Sequence, residues 1–333
     1  MGQREEILDL LCGKKISDQP AFSGLIHVTA AGLQSEDLVF HETHKDSNKM
    51  ARAAASTFKL TGMPSATLPL DLCSPAEALG AELNYYKEGE SQYPQVRKSL
   101  VESTKEITKE LIESTEILKK ERISIACEAI YLVKYEIARE VVISGMIPGP
   151  YTLLLYICNP KNLFIEMKKQ PQMVIDALLH LSSFLAQIGD AYKRAGADFI
   201  TIHDMGGSPG FIGPAKYEQF VLPAEKLLIE KLSKPCVLSL CGNVTNSLHL
   251  LAGTGANAIS LDQTVDLTAA RAALKDTLLF GNLDPVETLY RGDEARIRES
   301  VNRAREAGVD AVWPGCDLVI QSPIQNIQAM QEA

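Results

Sequence analysis

Cys241 ends the apolar run Val237–Leu240 and is followed at once by Gly242-Asn243, and Cys316 ends a second run, DAVWPGC, that starts at Asp310. A thiol so placed is either a small buried hydrophobe or a ligand held at the mouth of a site. The chain has seven cysteines, an odd number, and no CxxC pair, so any metal or nucleophilic use must join cysteines distant in sequence. Cys127 and Cys158 sit in apolar segments and read as core. Other chemically competent groups stand at equivalent places: His203-Asp204 ends DFITIHD, Asp262 ends AISLD, and Asp284 ends TLLFGNLD. For any one acid the alternative is a helix cap. Ser239 and Cys241, two residues apart on one strand, face the same side.

Such groups need a frame that gathers strand ends. Apolar, β-branched runs occur at 21–28, 66–72, 141–147, 198–204, 236–242, 258–262, 277–284 and 310–317. Helical patterns fit 3–12, 47–60, 99–118, 122–138, 171–195, 214–233, 243–253, 266–274, 291–307 and 323–332. Strands alternating with helices imply βαβ units and a parallel sheet. Eight strand candidates suit a closed (β/α)8 TIM barrel, an α/β fold, whose active site collects at the C-terminal strand ends. An open doubly wound sheet is the alternative, but no Gly-rich phosphate fingerprint follows an early strand. No domain boundary is visible, so residues 1–333 read as one domain with the helix at 3–12 as an N-terminal extension. Segment 84–120 is polar and reads as a covering loop and helix.

The net charge of -9 disfavours nucleic acid and anionic membranes as partners. No segment approaches the roughly 18 apolar residues of a spanning helix, and the N-terminus lacks a signal-peptide pattern. Unpaired cysteines fit a reducing compartment, so the expectation is a cytoplasmic protein.

Several stretches resemble the uroporphyrinogen decarboxylase superfamily: DLCSPAEALGAEL (71–83), GPYTLLLY (149–156), GADFITIHDMGGSPGFIGPAKYEQFVLP (196–223), ISLDQTVDLTAARAAL (259–274), LLFGNLDP (278–285) and SPIQNIQAM (322–330). The resemblance covers nearly the whole chain and implies a (β/α)8 barrel. Decarboxylases of this superfamily carry an early arginine pair, but FSGLIHVTAAGL has none, and their serine past the fifth strand is Met205 here. Asp71 and Tyr156 match positions those enzymes use on the porphyrinogen, and Asp204 stands beside the strand-end histidine as a third catalytic candidate. CGNV, PGC and the helix entry FHETHKDSNKMARAAA are similar instead to the cobamide-dependent methyltransferases, which implies His44 as a site-wall residue in contact with substrate.

Those methyltransferases bind zinc through His-x-Cys and a distant cysteine. Here Cys241 and Cys316 match the two cysteines, expected at the ends of a sixth and an eighth strand two places apart, while the histidine position is Ser239. A third ligand would come from His203, on the neighbouring strand, with Asp262 as a weaker ligand or substrate contact. The resemblance implies a zinc-dependent enzyme that moves a methyl group between a methylcobamide and a small acceptor: coenzyme M, another thiol, or tetrahydrofolate. No D-x-H-x-x-G corrinoid loop occurs, so the corrinoid would arrive on a partner protein. A decarboxylase acting on porphyrinogens, and a non-catalytic corrinoid- or metabolite-binding relative, are the competing readings.

Overall fold

The computed structural model describes residues 2–87, 92–137 and 139–333. Its strands are β1 (Ser65–Leu68), β2 (Leu83–Asn84), β3 (Gln95–Val96), β4 (Val142–Pro148), β5 (Phe199–Asp204), β6 (Cys236–Leu240), β7 (Ala258–Leu261), β8 (Leu278–Leu283) and β9 (Ala311–Pro314). Seven form one parallel sheet in the order β1-β4-β5-β6-β7-β8-β9, while β2 and β3 make a separate antiparallel pair. Helices return the chain between strands, so the architecture is α/β and barrel-like.

Alternation along the strands separates two cores. Ile143, Ile200, Leu238, Ile259, Leu279 and Val312 belong to the larger cluster shared with the outer helices. Val142, Phe199, Val237, Ala258, Phe280, Ala311 and Trp313 form an inner cluster, joined by Ile7, Leu10 and Leu11 of the first helix, Gln3–Leu11. Residues two apart share a face of a strand, so the inner cluster lines the concave side. The long helix Pro171–Ala195 buries Val174, Ala177, Leu178, Leu181, Leu185, Ile188 and Tyr192, the three- and four-residue spacing of one helical stripe.

Three expectations need correction. The run 21–28 is not a regular strand: it touches β9 through a single bridge, Ala21 to Val312. Its backbone is diverted by side chains. Ser23 N–H donates to Ser65 Oγ, and the His27 ring contacts the Leu25 and Ser65 carbonyls. A Cβ on Gly24 would come within 2.6 Å of Trp313 and 2.7 Å of Phe199, so this segment packs too closely on the floor for ordinary pleating. Segment 99–118 is not one helix but three short turns, at Thr104–Glu106, Lys109–Ser114 and Ile117–Lys119. Ser103 and Thr108 each cap a new start, and Thr104 is tied to Glu166, so hydroxyls divert the backbone from one continuous ladder. Finally, Cys241 follows β6 and Cys316 follows β9, three places apart in the sheet rather than two.

Candidate metal centre

His203 lies on β5 in register with Ser239 of β6, and the turn after β6 carries Cys241. Its Nε2 is 3.2 Å from Cys241 Sγ, the two sulfurs are 3.4 Å apart, and Nε2 is 4.0 Å from Cys316 Sγ. Tetrahedral zinc, with bonds of about 2.3 Å to sulfur and about 2.0 Å to nitrogen, separates two sulfurs by about 3.8 Å and sulfur from nitrogen by about 3.5 Å. The triangle has those dimensions to within about half an ångström, and the donors are those zinc favours. Both cysteines are free, at a separation far beyond a disulfide bond.

Neighbours fix the three donors. Asp262, at the end of β7, accepts from Gly242 N–H at 2.8 Å and from Thr264 N–H and Oγ1, so it holds the turn behind Cys241. Ser208 Oγ donates to the Cys241 carbonyl at 2.5 Å. Past β9, Gly315 N–H donates to the Leu283 carbonyl; a Cβ there would meet Gln263 N at 2.7 Å, so a close backbone approach brings Cys316 inward.

The unmetallated cluster is electrostatically tense. Burial pulls the His203 imidazole down, but the Asp317 carboxylate and the Cys316 sulfur more than offset it and raise it to about 9. A hydrogen bond from Cys241, and His203 beside it, hold Cys316 well below the usual thiol range, while that same bond and burial hold Cys241 protonated. Asp317 Oδ2 is 3.8 Å from His203 Nδ1, and burial lifts its carboxyl to about 6. A carboxylate facing the outer nitrogen of an imidazole leaves the inner nitrogen's lone pair free for a metal.

The other expected site residues are not donors in this triangle, though Asp71 and Tyr156 line a cavity together with Asp317. Asp71 and His44 meet each other, Nδ1 to Oδ2 at 2.9 Å, in a buried cluster with Arg122. Arg122 also donates to Tyr85 at 2.7 Å, and Glu77 takes the Tyr85 hydroxyl. Burial alone would raise the Asp71 carboxyl, but Arg122 and His44 hold it well below the usual range. Burial lowers His44 despite Asp71. Asp204 is fully buried; one oxygen accepts from Thr152 N–H, Thr152 Oγ1 and Gly207 N–H, so it clasps two loops. Tyr156 lines a cavity of about 430 Å³ together with Tyr93, Met205 and Asp317, and a second of about 480 Å³ with Phe164, Phe211 and Lys216. Ser239 is fully buried and its Oγ has no hydrogen-bond partner. Among the described residues, His203, Cys241 and Cys316 are the group of three able to hold a metal.

Sequence reasoning missed Asp317, Arg122 and Tyr93. Asp317 directly follows Cys316, and a carboxylate beside a metal-ligating residue was a readable signal. Arg122 sits on the buried stripe of helix Glu121–Ile137 with Ala126, Ala129 and Val133, where a lone charge demands a partner. Tyr93 carried no local signal.

A model of the family Uroporphyrinogen decarboxylase (URO-D) matches residues 3–333. The chain is 30% identical to the methylcobamide:CoM methyltransferase MtbA of Methanosarcina acetivorans, over 99% of this chain and 96% of that one. It is 28% identical to the uroporphyrinogen decarboxylase of Thermodesulfovibrio yellowstonii, over 73% of this chain and 70% of that one. Among solved structures, a methyltransferase from Methanosarcina mazei superposes with a TM-score of 0.90 at 24% identity, over 98% and 96% of the two chains, a match of fold.

Proposed function

The chain belongs to the uroporphyrinogen decarboxylase family, and within it we propose a zinc-dependent methyltransferase that moves a methyl group between a corrinoid carried by a partner protein and a small thiol. Full-length similarity to methylcobamide:CoM methyltransferases supports the corrinoid chemistry. The observation that supports zinc is the His203–Cys241–Cys316 triangle, which offers three protein donors, the number found in catalytic zinc sites. In this reading residues 1–333 act as one (β/α)8 unit in which segment 20–28 takes the place of an eighth strand.

Zinc bound there would lower the acceptor thiol's pKa and so supply a thiolate at neutral pH. His203 offers Nε2 while its Nδ1 faces the Asp317 carboxylate at 3.8 Å, whose charge favours a proton on that outer nitrogen. Cys241 and Cys316 would hold the metal as thiolates, and two sulfur donors would keep electron density on an acceptor sulfur. Leu155, Tyr156 and Met205 are common to both cavities, one of which is also lined by Asp317. Asp71 serves as the buried anchor of Arg122 rather than as a contact for an anionic macrocycle, which disfavours the decarboxylase reading. Asp204 and Asp262 hold the strand-end turns, and His44 supports Asp71.

The test is metal analysis joined to a methyl-transfer assay. Protein purified without chelator should hold about one zinc per chain and demethylate free methylcobalamin with a thiol acceptor. Metal-free protein that still demethylates it, or zinc-replete protein that decarboxylates uroporphyrinogen instead, would overturn the proposal.

A further inference from the structure

The cavity of about 430 Å³ that reaches Asp317 is walled by Asp71, Tyr93, Tyr156 and Met205 among others, and no described lysine or arginine lines it. The residues outside the description, 1, 88–91 and 138, include no Lys or Arg either. The buried arginine, Arg122, is spent on Asp71, Glu77 and Tyr85. Asp71 itself is saturated: Oδ1 accepts from Cys73 and Ser74 N–H, Oδ2 from Arg122 and His44.

Asp317 differs. Its Oδ1 accepts from Ile26 N–H at 2.8 Å, but Oδ2 has only His203 Nδ1 at 3.8 Å, beyond hydrogen-bond reach. Tyr93 has a buried hydroxyl with no partner, and Tyr156 adds an aromatic wall. A carboxylate oxygen, an unsatisfied phenol and an aromatic face match an ammonium group, which donates hydrogen bonds to the oxygens and is attracted to the ring. A sulfonate or carboxylate in the same place would meet the Asp317 carboxylate and find no lysine or arginine in the described lining.

Resting on the methyltransferase reading above, we infer that the acceptor is a small thiol carrying an ammonium group, held by Asp317 and Tyr93, rather than a thiol carrying a sulfonate. Lys216 lines the other, outer cavity and is exposed, so it serves the opening rather than this end.

Three thiols of equal chain length separate the alternatives: 2-aminoethanethiol, 2-mercaptoethanol and 2-mercaptoethanesulfonate. Cobalt(II) substituted for zinc in the full-length protein gives a thiolate-to-metal absorption band, and titration yields each Kd without turnover. Methylcobalamin demethylation on the zinc protein yields kcat/KM. We expect the amine to bind at least tenfold more tightly than the sulfonate and to lead in kcat/KM. Asp317→Asn should shrink the amine-to-sulfonate ratio at least tenfold; the ratio between variants cancels the thiols' own reactivities. Tyr93→Phe, which removes none of the three metal donors, should weaken the amine several-fold more than the sulfonate. A sulfonate that binds as tightly as the amine, or a ratio unmoved in both variants, overturns the inference while the methyltransferase reading stands. Failure of all three thiols to perturb the cobalt band or accept a methyl group would overturn the methyltransferase reading itself.

Discussion

Phe199 and His203 lie four residues apart on β5 and face the same interior, yet they live in opposite surroundings. Phe199 packs against Phe22 and Trp313 with ring centroids 6.3 Å apart in each case, and Phe280 and Trp313 approach to 5.0 Å. Ile7, Leu10 and Leu11 close that end from below. His203 meets two sulfurs and a carboxylate, and its Nδ1 makes no hydrogen bond. Beside it in the sheet, Ser239 Oγ is also buried without a partner. Unmade hydrogen bonds in a dry interior cost about 1–3 kcal/mol each. The lesson is a division of labour: an aromatic floor stabilises the strands, and a rim of unsatisfied polar groups, held in place by that stability, is left open to a ligand.

If the division is real, mutations at the two ends should fail in different assays. The largest effect is expected at the rim. Cys316→Ala should remove bound zinc and abolish methyl transfer from methylcobalamin, with thermal unfolding of the apoprotein shifted by only a few degrees. Next comes the floor, where Trp313→Ala should cost about 3–5 kcal/mol in urea unfolding, while the folded fraction still binds one zinc per chain. A floor mutant that loses zinc without losing stability would erase the distinction.

A smaller effect separates two rim residues. His203→Ala should lower zinc affinity at least about tenfold, measured against a competing chelator, and Ser239→Ala should leave it nearly unchanged. The reverse pattern would place the third ligand on β6. The smallest effect concerns the neutral, buried His44. Its folded pKa lies below the unfolded value of about 6.5. The unfolded chain therefore binds more protons in that window, and stability falls as pH drops below about 6.5. Asp71, whose carboxyl is also depressed, adds a further loss below about pH 4 with the same sign. Urea unfolding between pH 7 and 5 should show the first decline in the wild type and a flatter profile in His44→Gln.

The rim and the floor were not equally legible in the sequence. Cys241, Cys316 and His203 each closed a clear apolar run, so strand periodicity alone placed them at one end of a parallel sheet. The floor was readable only in part: Phe199, Phe280 and Trp313 stood within strand patterns, but nothing local announced that Gly24 would carry its loop against them. The irregular path of 21–28 follows from the Ser23 N–H donating to the Ser65 hydroxyl and from the His27 ring on the Ser65 carbonyl, some 40 positions away, and contacts at that range leave no periodic trace. For the same reason Asp71, Asp204 and Asp262 were legible as acids at strand ends but not as anchors of Arg122, Thr152 and Gly242, since their partners arrive from other elements.

Zinc K-edge X-ray absorption on the purified protein and on His203→Ala tests the three-donor site most directly. The wild type should show two sulfurs at about 2.3 Å and one imidazole nitrogen at about 2.0 Å, with the imidazole scattering lost in His203→Ala. Zinc that keeps its imidazole signal in His203→Ala, or a wild-type protein that binds no zinc, would contradict a centre built from His203, Cys241 and Cys316.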